Sequence, residues 1–238
     1  MSIARPGKPH NIVVNATRNA NNGGARDAFR DRRQAGRELS ERLLDLADRP
    51  GLVVLGLPKG GVPVAFEVAR ALQAPLDALV VRKLGLPGHE ELAMGAIASG
   101  DIRVINEDLV RAAALSDETV AAVAADEQRE LERQERELRD GAPAPEVEGR
   151  TVLLVDDGLA TGSTMRAAIA ALRKRGAGAI VVGVPTASPE VCVSLKQEAD
   201  DVVCARTPQP FRAVGAWYED FGQVTDEEVR RLLDQARD

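Results

Sequence analysis

Residues 152–169, VLLVDDGLATGSTMRAAI, place two acids and a run of small hydroxyl-bearing residues between an apolar run and a helix-forming one. Four continuous apolar residues suit a strand buried on both faces. Asp156 and Asp157 then stand at its carboxyl end, where open α/β sheets bind ligands. The turn Gly158-Leu159-Ala160-Thr161-Gly162-Ser163-Thr164 runs into a helix expected to reach about Arg175. Small residues let backbone N–H groups converge, and a helix N-terminus adds partial positive charge. Together these make a phosphate cradle. Thr161, Ser163 and Thr164 add hydroxyl donors. Carboxylates repel phosphate, so sugar hydroxyls or a divalent cation must lie between acids and cradle. A ribose 5-phosphate fits, with its phosphate in the cradle and its 2- and 3-hydroxyls on Asp156 and Asp157.

Residues 152–164 resemble the signature of the type I phosphoribosyltransferases: four hydrophobics, two acids, two small or hydrophobic residues, then Thr-Gly-x-Thr. No Walker A loop and no G-x-G-x-x-G after a strand is present. The resemblance implies transfer of a phosphoribosyl group from 5-phosphoribosyl 1-diphosphate to a nitrogen acceptor, a small heterocycle or amine, with Mg²⁺ and release of pyrophosphate. It implies that Asp156 and Asp157 hold the ribose and influence Mg²⁺ indirectly, through ribose or water. Ala160, Thr161, Gly162, Ser163 and Thr164 would hold the 5-phosphate. Residues 57–61, Leu-Pro-Lys-Gly-Gly, are similar to the pyrophosphate loop of hypoxanthine-guanine members. Lys59 would supply charge there, and Gly60 and Gly61 close backbone approach. The family's non-proline cis peptide falls on Pro58–Lys59. Lys59 joins the two aspartates as the catalytic set. Arg82 and Lys83 would reach pyrophosphate, or are two solvated charges at a strand end. A mobile loop over 84–95 would exclude water from the reacting cation. His89, Glu90 and Glu91 in that loop read as loop polarity rather than a metal triad, for want of a second spaced His.

The resemblance also bears on the acceptor. Family members acting on 6-oxopurines carry an Asp at the position of Ala160. Alanine can neither give nor take a proton, which disfavours hypoxanthine and guanine. The chain has one Trp, one Tyr and four Phe, and Phe211, Trp217, Tyr218 and Phe221 fall in one stretch. Phe211, Trp217 and Tyr218 are the acceptor-pocket candidates, on which a flat acceptor could stack; the alternative is a small core under the last helix.

Around these motifs the pattern predicts an α/β fold. It has a parallel-sheet, Rossmann-like phosphoribosyltransferase core, helices on both faces and a small hood from the chain ends. Strands are expected at 52–56, 76–82, 151–157, 179–185 and 201–205. Helices are expected at 28–47, 64–74, 116–139, 163–175, 189–198 and from Thr225, which has Glu228 at the capping-box position. Segment 83–101 reads as a long loop grading into a hairpin that ends in a strand at 102–106. Ala124, Leu131 and Leu138, seven apart, give helix 116–139 one narrow apolar stripe, so it packs along one edge. Residues 1–25 read as a mobile arm and 140–149 as a linker. Residues 26–238 form one domain, with hood elements about 83–106 and 206–238.

Composition narrows the function. The chain has 238 residues, 44% hydrophobic and 29% charged, with a net charge of −6 and a pI near 5.2. These are globular values. The acidic balance speaks against nucleic acid and anionic membrane as partners. No apolar run approaches a membrane span, and no secretory signal is seen, so a cytoplasmic protein is expected. Cys192 and Cys204 make no disulfide framework, which agrees with a reducing compartment. A homodimer is what the family resemblance implies. Two other functions compete with the transferase. A regulator would bind phosphoribosyl diphosphate or a related nucleotide without turnover. A phosphatase of sugar phosphates would need a strand-end nucleophile, for which Asp156 is the one candidate. Lys59, Gly60, Gly61 and both aspartates together favour turnover.

Overall fold

The computed structural model describes residues 28–100, 102–139 and 145–237. The predicted arm at 1–25 and residues 140–144 of the predicted linker lie outside them. Helix α1 (Arg32–Glu41) and a 3-10 turn (Leu44–Leu46) precede β1 (Leu52–Gly56), α2 (Gly61–Leu72) and β2 (Leu76–Ala78). Then come β3 (Val81–Leu86), β4 (His89–Ala98), β5 (Ile102–Ile105), α3 (Glu107–Ala112) and α4 (Asp117–Arg139). The chain continues through β6 (Thr151–Val155), α5 (Ser163–Lys174), β7 (Ala179–Thr186), α6 (Pro189–Leu195), β8 (Asp201–Arg206), a 3-10 turn (Val214–Trp217) and α7 (Asp226–Gln235).

Five strands form a parallel sheet in the order β2-β1-β6-β7-β8. Alternate side chains serve two separate cores, as the two-residue period of a strand requires. Val54, Leu153, Val155 and Val181 face a core built with α1, α2, α4 and α7. Val53, Leu55, Val152, Leu154, Ile180 and Val182 face a second core with α5 and α6. This burial on both faces explains why the strands read as unbroken apolar runs. The chain runs from β1 outward to β2, then returns to the other side of β1 with β6. The strand order therefore reverses between β1 and β6, and the loops leaving these two strands meet at their carboxyl ends. That switch point is where open α/β sheets form a ligand crevice.

Several boundaries differ from the sequence pattern. The strand expected at 76–82 is two strands. β2 pairs with β1, while β3 leaves the sheet and pairs with β4. The segment expected as a long loop is instead an antiparallel sheet, β3-β4-β5, with Pro87-Gly88 joining the first two strands and the ladder slipping at Gly85. This sheet occupies the place expected for part of the hood, but it comes from the middle of the chain and not from its ends. The helix expected from residue 28 starts at Arg32, because Asp31 caps it by accepting from the Gln34 amide at 2.7 Å. Phe29 is drawn instead into an aromatic cluster with Tyr218.

Cys192 of α6 and Cys204 of β8 are joined by a disulfide, correcting the expectation of two reduced thiols. α6 leads into β8 and packs back on it, which brings the Cα atoms to 6.7 Å, within bridging reach. No helix among the described residues is long and apolar enough to cross a membrane.

Helix α4 behaves as its stripe predicts. Ser116 caps it, accepting from the Thr119 amide at 3.2 Å. Ala124, Leu131 and Leu138 are buried in the first core, against β3, β4 and α7. Leu131→Ala is expected to lower the unfolding free energy by about 2–5 kcal/mol, the usual range for a buried leucine. Arg129→Ala, on the exposed face, should change it by less than about 0.5 kcal/mol. Urea unfolding measures both; equal small effects would show that α4 is no part of the core.

Candidate functional site

Two loops build the site. The first follows β1, the second follows β6, and they touch. Leu57 donates its amide to the Val155 carbonyl at 2.9 Å, tying the first loop to the last residue of β6. The Pro58–Lys59 peptide is cis, as the family resemblance implies. Beyond it, Gly60 and Gly61 lie directly on the acid pair. A Cβ on Gly60 would stand 2.0 Å from Asp157 Oδ2, and one on Gly61 would stand 2.9 Å from Asp156 Cα. A side chain at Gly60 would have to displace the Asp157 carboxylate, and one at Gly61 would meet the backbone at the end of β6, 2.7 Å from the Val155 carbonyl oxygen. Gly60 is also the N-cap of α2 and offers no side-chain acceptor to its first amides.

The two carboxylates are held differently. Asp156 Oδ1 accepts from the Asp157 amide at 2.8 Å. Asp157 Oδ2 accepts from Arg32 Nε at 2.8 Å, in an ion pair whose side chains are only 13% and 14% exposed. Burial, and then the charge of Asp157, pushes the Asp156 carboxyl well above its usual value. Burial raises the Asp157 carboxyl too, against the opposing pull of Arg32. The pair is thus short of positive charge or hydroxyl donors. Among the described residues no cluster of three or more His, Cys, Asp or Glu could hold a metal ion.

In the second loop Gly162 adopts φ +73°, a left-handed conformation that suits glycine, and starts α5 at Ser163. The Ser163 amide donates to Thr161 Oγ1 at 3.4 Å, and the two hydroxyls lie 3.3 Å apart. Ala160 and Thr161 are exposed, Ser163 and Thr164 half-buried. Beside them opens a cavity of about 760 Å³, closed by residues 188–190 at the start of α6 and by residues 209–212 after β8. Phe211 lines it, stacked on Trp217 at 6.5 Å. Glu190 and Arg212 bring charge of both signs to its wall.

Sequence-predicted residues therefore gather in part. Gly60, Gly61, Asp156 and Asp157 form one contact, and Phe211 shares a cavity with Ala160 and Thr161. Lys59 is turned to α7, its Nζ 2.7 Å from Asp226 Oδ2. Arg82 is neither a free anion ligand nor a solvated charge: it is pinned by Glu127 of α4 at 2.5 Å, with Glu130 at 3.9 Å. Lys83 beside it is half-buried on β3.

Tyr218 departs from its expected place in the acceptor pocket. Its ring is buried between Phe29 at 5.4 Å and Phe221 at 4.9 Å, so no face is left for a ligand. Its hydroxyl donates to the Asp157 carbonyl at 2.5 Å. Burial and the Asp157 charge raise the phenol above its ordinary value, which keeps it a donor. Sequence reasoning missed Arg32, Asp226, Glu190 and Arg212. Nothing marks Arg32 among the 31 basic residues except its place just after a helix-capping aspartate.

The chain is similar to proteins of one family. A family model described as phosphoribosyl transferase domain matches residues 27–205. Rv0571c of Mycobacterium tuberculosis (strain ATCC 25618 / H37Rv), provisionally named a phosphoribosyl transferase, is 47% identical over 208 residues, covering 87% of this chain and 47% of its own. MT0597 of strain CDC 1551 / Oshkosh matches with the same figures. The chain thus spans about half the length of these curated relatives. The crystal structure of TT1426 from Thermus thermophilus superposes with a TM-score of 0.79 at 44% identity, over 87% of this chain and 98% of that one.

Gly60→Ala tests the contact between the loops. Its methyl group would overlap the Asp157 carboxylate. The expected cost is about 1–3 kcal/mol of stability, as for other overpacked sites. An unchanged denaturation midpoint would mean that the loops do not approach this closely.

Proposed function

The chain belongs to the phosphoribosyl transferase domain family, and from that premise we propose that it is a phosphoribosyltransferase. It would bind 5-phosphoribosyl 1-diphosphate with Mg²⁺ and transfer the phosphoribosyl group to a nitrogen acceptor. The observation that carries this reading is the contact of Gly60 and Gly61 with Asp157 and Asp156, beside the Gly162 turn. A glycine loop, a pair of carboxylates and a helix N-terminus are thereby the parts that would meet the donor. A 1-diphosphate, a ribose and a 5-phosphate come in the same sequence along the donor.

In the reaction the bond from C1 to the pyrophosphate oxygen breaks, and pyrophosphate leaves with the electron pair. A bond from the acceptor nitrogen to C1 forms, and the nitrogen loses its proton. Positive charge grows on the ribosyl ring as the leaving group gains negative charge. Fixed groups that meet these charges lower the barrier. Arg32 takes Asp157 Oδ2, so Oδ1 would be the oxygen that meets a ribose hydroxyl. Asp156, whose carboxyl burial and the Asp157 charge push well above its usual value, would take a second ribose hydroxyl. Residues 160–164 would take the 5-phosphate on backbone amides and hydroxyls. Lys59, Gly60 and Gly61 would take the pyrophosphate, with Lys59 exchanging Asp226 for it.

Asp156 and Asp157 are the residues that would hold Mg²⁺, indirectly through ribose or water, since no cluster of three or more ligating side chains lies among the described residues, and the ion would supply positive charge to the leaving pyrophosphate. The acceptor would enter the cavity beside Ala160 and stack on Phe211. Glu190 can accept from an N–H of a planar heterocycle, and Arg212 can donate to an oxygen or anion on it. A homodimer in the cytoplasm remains part of the proposal.

Isothermal titration with 5-phosphoribosyl 1-diphosphate, with and without Mg²⁺, tests the reading. Magnesium-dependent binding is expected, weakened at least roughly tenfold in Asp157→Ala, as for a lost charge-assisted hydrogen bond. No binding under either condition would discard this donor. Binding without pyrophosphate release across a panel of nitrogen acceptors would favour a regulator over an enzyme.

A further inference from the structure

Arg32 stands where helix physics disfavours it. It is the first residue of α1, followed by Arg33, and the first turn holds no acid. Cations at a helix N-terminus oppose the helix dipole. The side chain nevertheless turns inward to 13% exposure and is gripped on three sides. Nε donates to Asp157 Oδ2 at 2.8 Å, and Nη1 donates to the Gly222 carbonyl at 2.8 Å. The guanidinium lies over the Phe221 ring, 3.9 Å from its centroid. A Cβ on Gly60 would be 3.3 Å from Nε, so the guanidinium lies beside the loop that holds Gly60.

The backbone supports this placement. The Phe29 amide donates to the Trp217 carbonyl at 2.8 Å, and Glu219 and Asp220 donate back to Phe29 and Arg30 at 2.8 and 2.9 Å. Residues 28–31 and 217–222 thus form one strap, and Tyr218 fastens it to the Asp157 carbonyl. Side chain and main chain of Asp157 are held from the same strap.

We infer that Arg32 is a positioning residue of the donor site, fixing Asp157 through Oδ2 so that Oδ1 alone is presented to a ribose hydroxyl. The inference rests on the donor reading proposed above. It assigns Arg32 to the ribose half of the donor and not to the pyrophosphate half. The fork explains the residue type: a guanidinium can engage a carboxylate and a carbonyl at once in one plane, and an ammonium holds no such plane.

The test uses three probes with Mg²⁺ by isothermal titration: 5-phosphoribosyl 1-diphosphate, ribose 5-phosphate and inorganic pyrophosphate. In Arg32→Met, the first two should weaken by the same factor, at least roughly tenfold, while pyrophosphate binds as in the parent. Arg32→Lys should recover part of the loss, since charge returns without the fork. Equal affinity of parent and Arg32→Met for the donor would overturn the inference. So would parallel loss of all three probes with a lowered unfolding midpoint, which marks a role in folding alone. Phe221→Leu, which uncovers the guanidinium but keeps its charge, should give a smaller loss with the same selectivity; a loss confined to pyrophosphate would overturn the assignment to the ribose half. Failure of the parent to bind either ribosyl probe would overturn the donor reading and this inference together.

Discussion

The constraint on which the site depends is the absence of a side chain at Gly60. Asp157 Oδ2 occupies the space where a Cβ would stand, and Gly61 gives the same room to Asp156. Two loops that leave different strands can approach this closely only because β1 and β6 are neighbours in parallel register, with Gly56 opposite Val155. The two-sided burial of those strands fixes the register, since a slip by one residue would exchange the two cores. Packing thus decides where the acids lie, long before any ligand is considered.

The core strands were legible because burial on both faces leaves a direct mark on composition. LVVLG and TVLLV are continuous apolar runs; the first is a strand with the expected bounds, and the second ends at Val155, two residues before the expected end, so that Asp156 and Asp157 lie just beyond it. The turn after Asp157 was legible for a related reason: a left-handed residue and a helix start admit few residue types, and Gly162-Ser163 supplies them. Ser116 and Thr225 marked helix starts because a hydroxyl there accepts a first-turn amide. These are local rules, and each is satisfied within a few residues.

What escaped the sequence is what depends on distant partners. The run at 76–82 has the composition of one strand, yet it divides because β2 pairs with β1 while β3 pairs with β4. Arg82 looked free because its partners, Glu127 and Glu130, come from a helix some 45 residues later. Tyr218 looked like a platform for a flat ligand, but Phe29 from the other end of the described chain covers it. Cys192 and Cys204 meet only because α6 folds back on β8. In each case residue type was informative and the partner was not.

The two charged contacts at the site are unlike in burial, and this difference orders what a ligand can do. Lys59 and Asp226 are 43% and 28% exposed, and a water-facing pair of that kind is worth little, about 0–1 kcal/mol. An arriving anion can take the Lys59 ammonium from Asp226 at small cost. Arg32 and Asp157 are about 13% exposed, and removing either partner from such a buried pair leaves an uncompensated charge, typically a loss of about 3–5 kcal/mol. A ligand would therefore exchange the first pair and keep the second. On the proposed reading, Asp226 would be a replaceable stand-in for pyrophosphate on Lys59, whereas the Arg32–Asp157 pair would belong to the frame that a ribose meets. Both partners, Arg32 and Asp226, come from near the ends of the described chain, so those ends pair with the charged residues of the candidate site that the middle of the chain supplies.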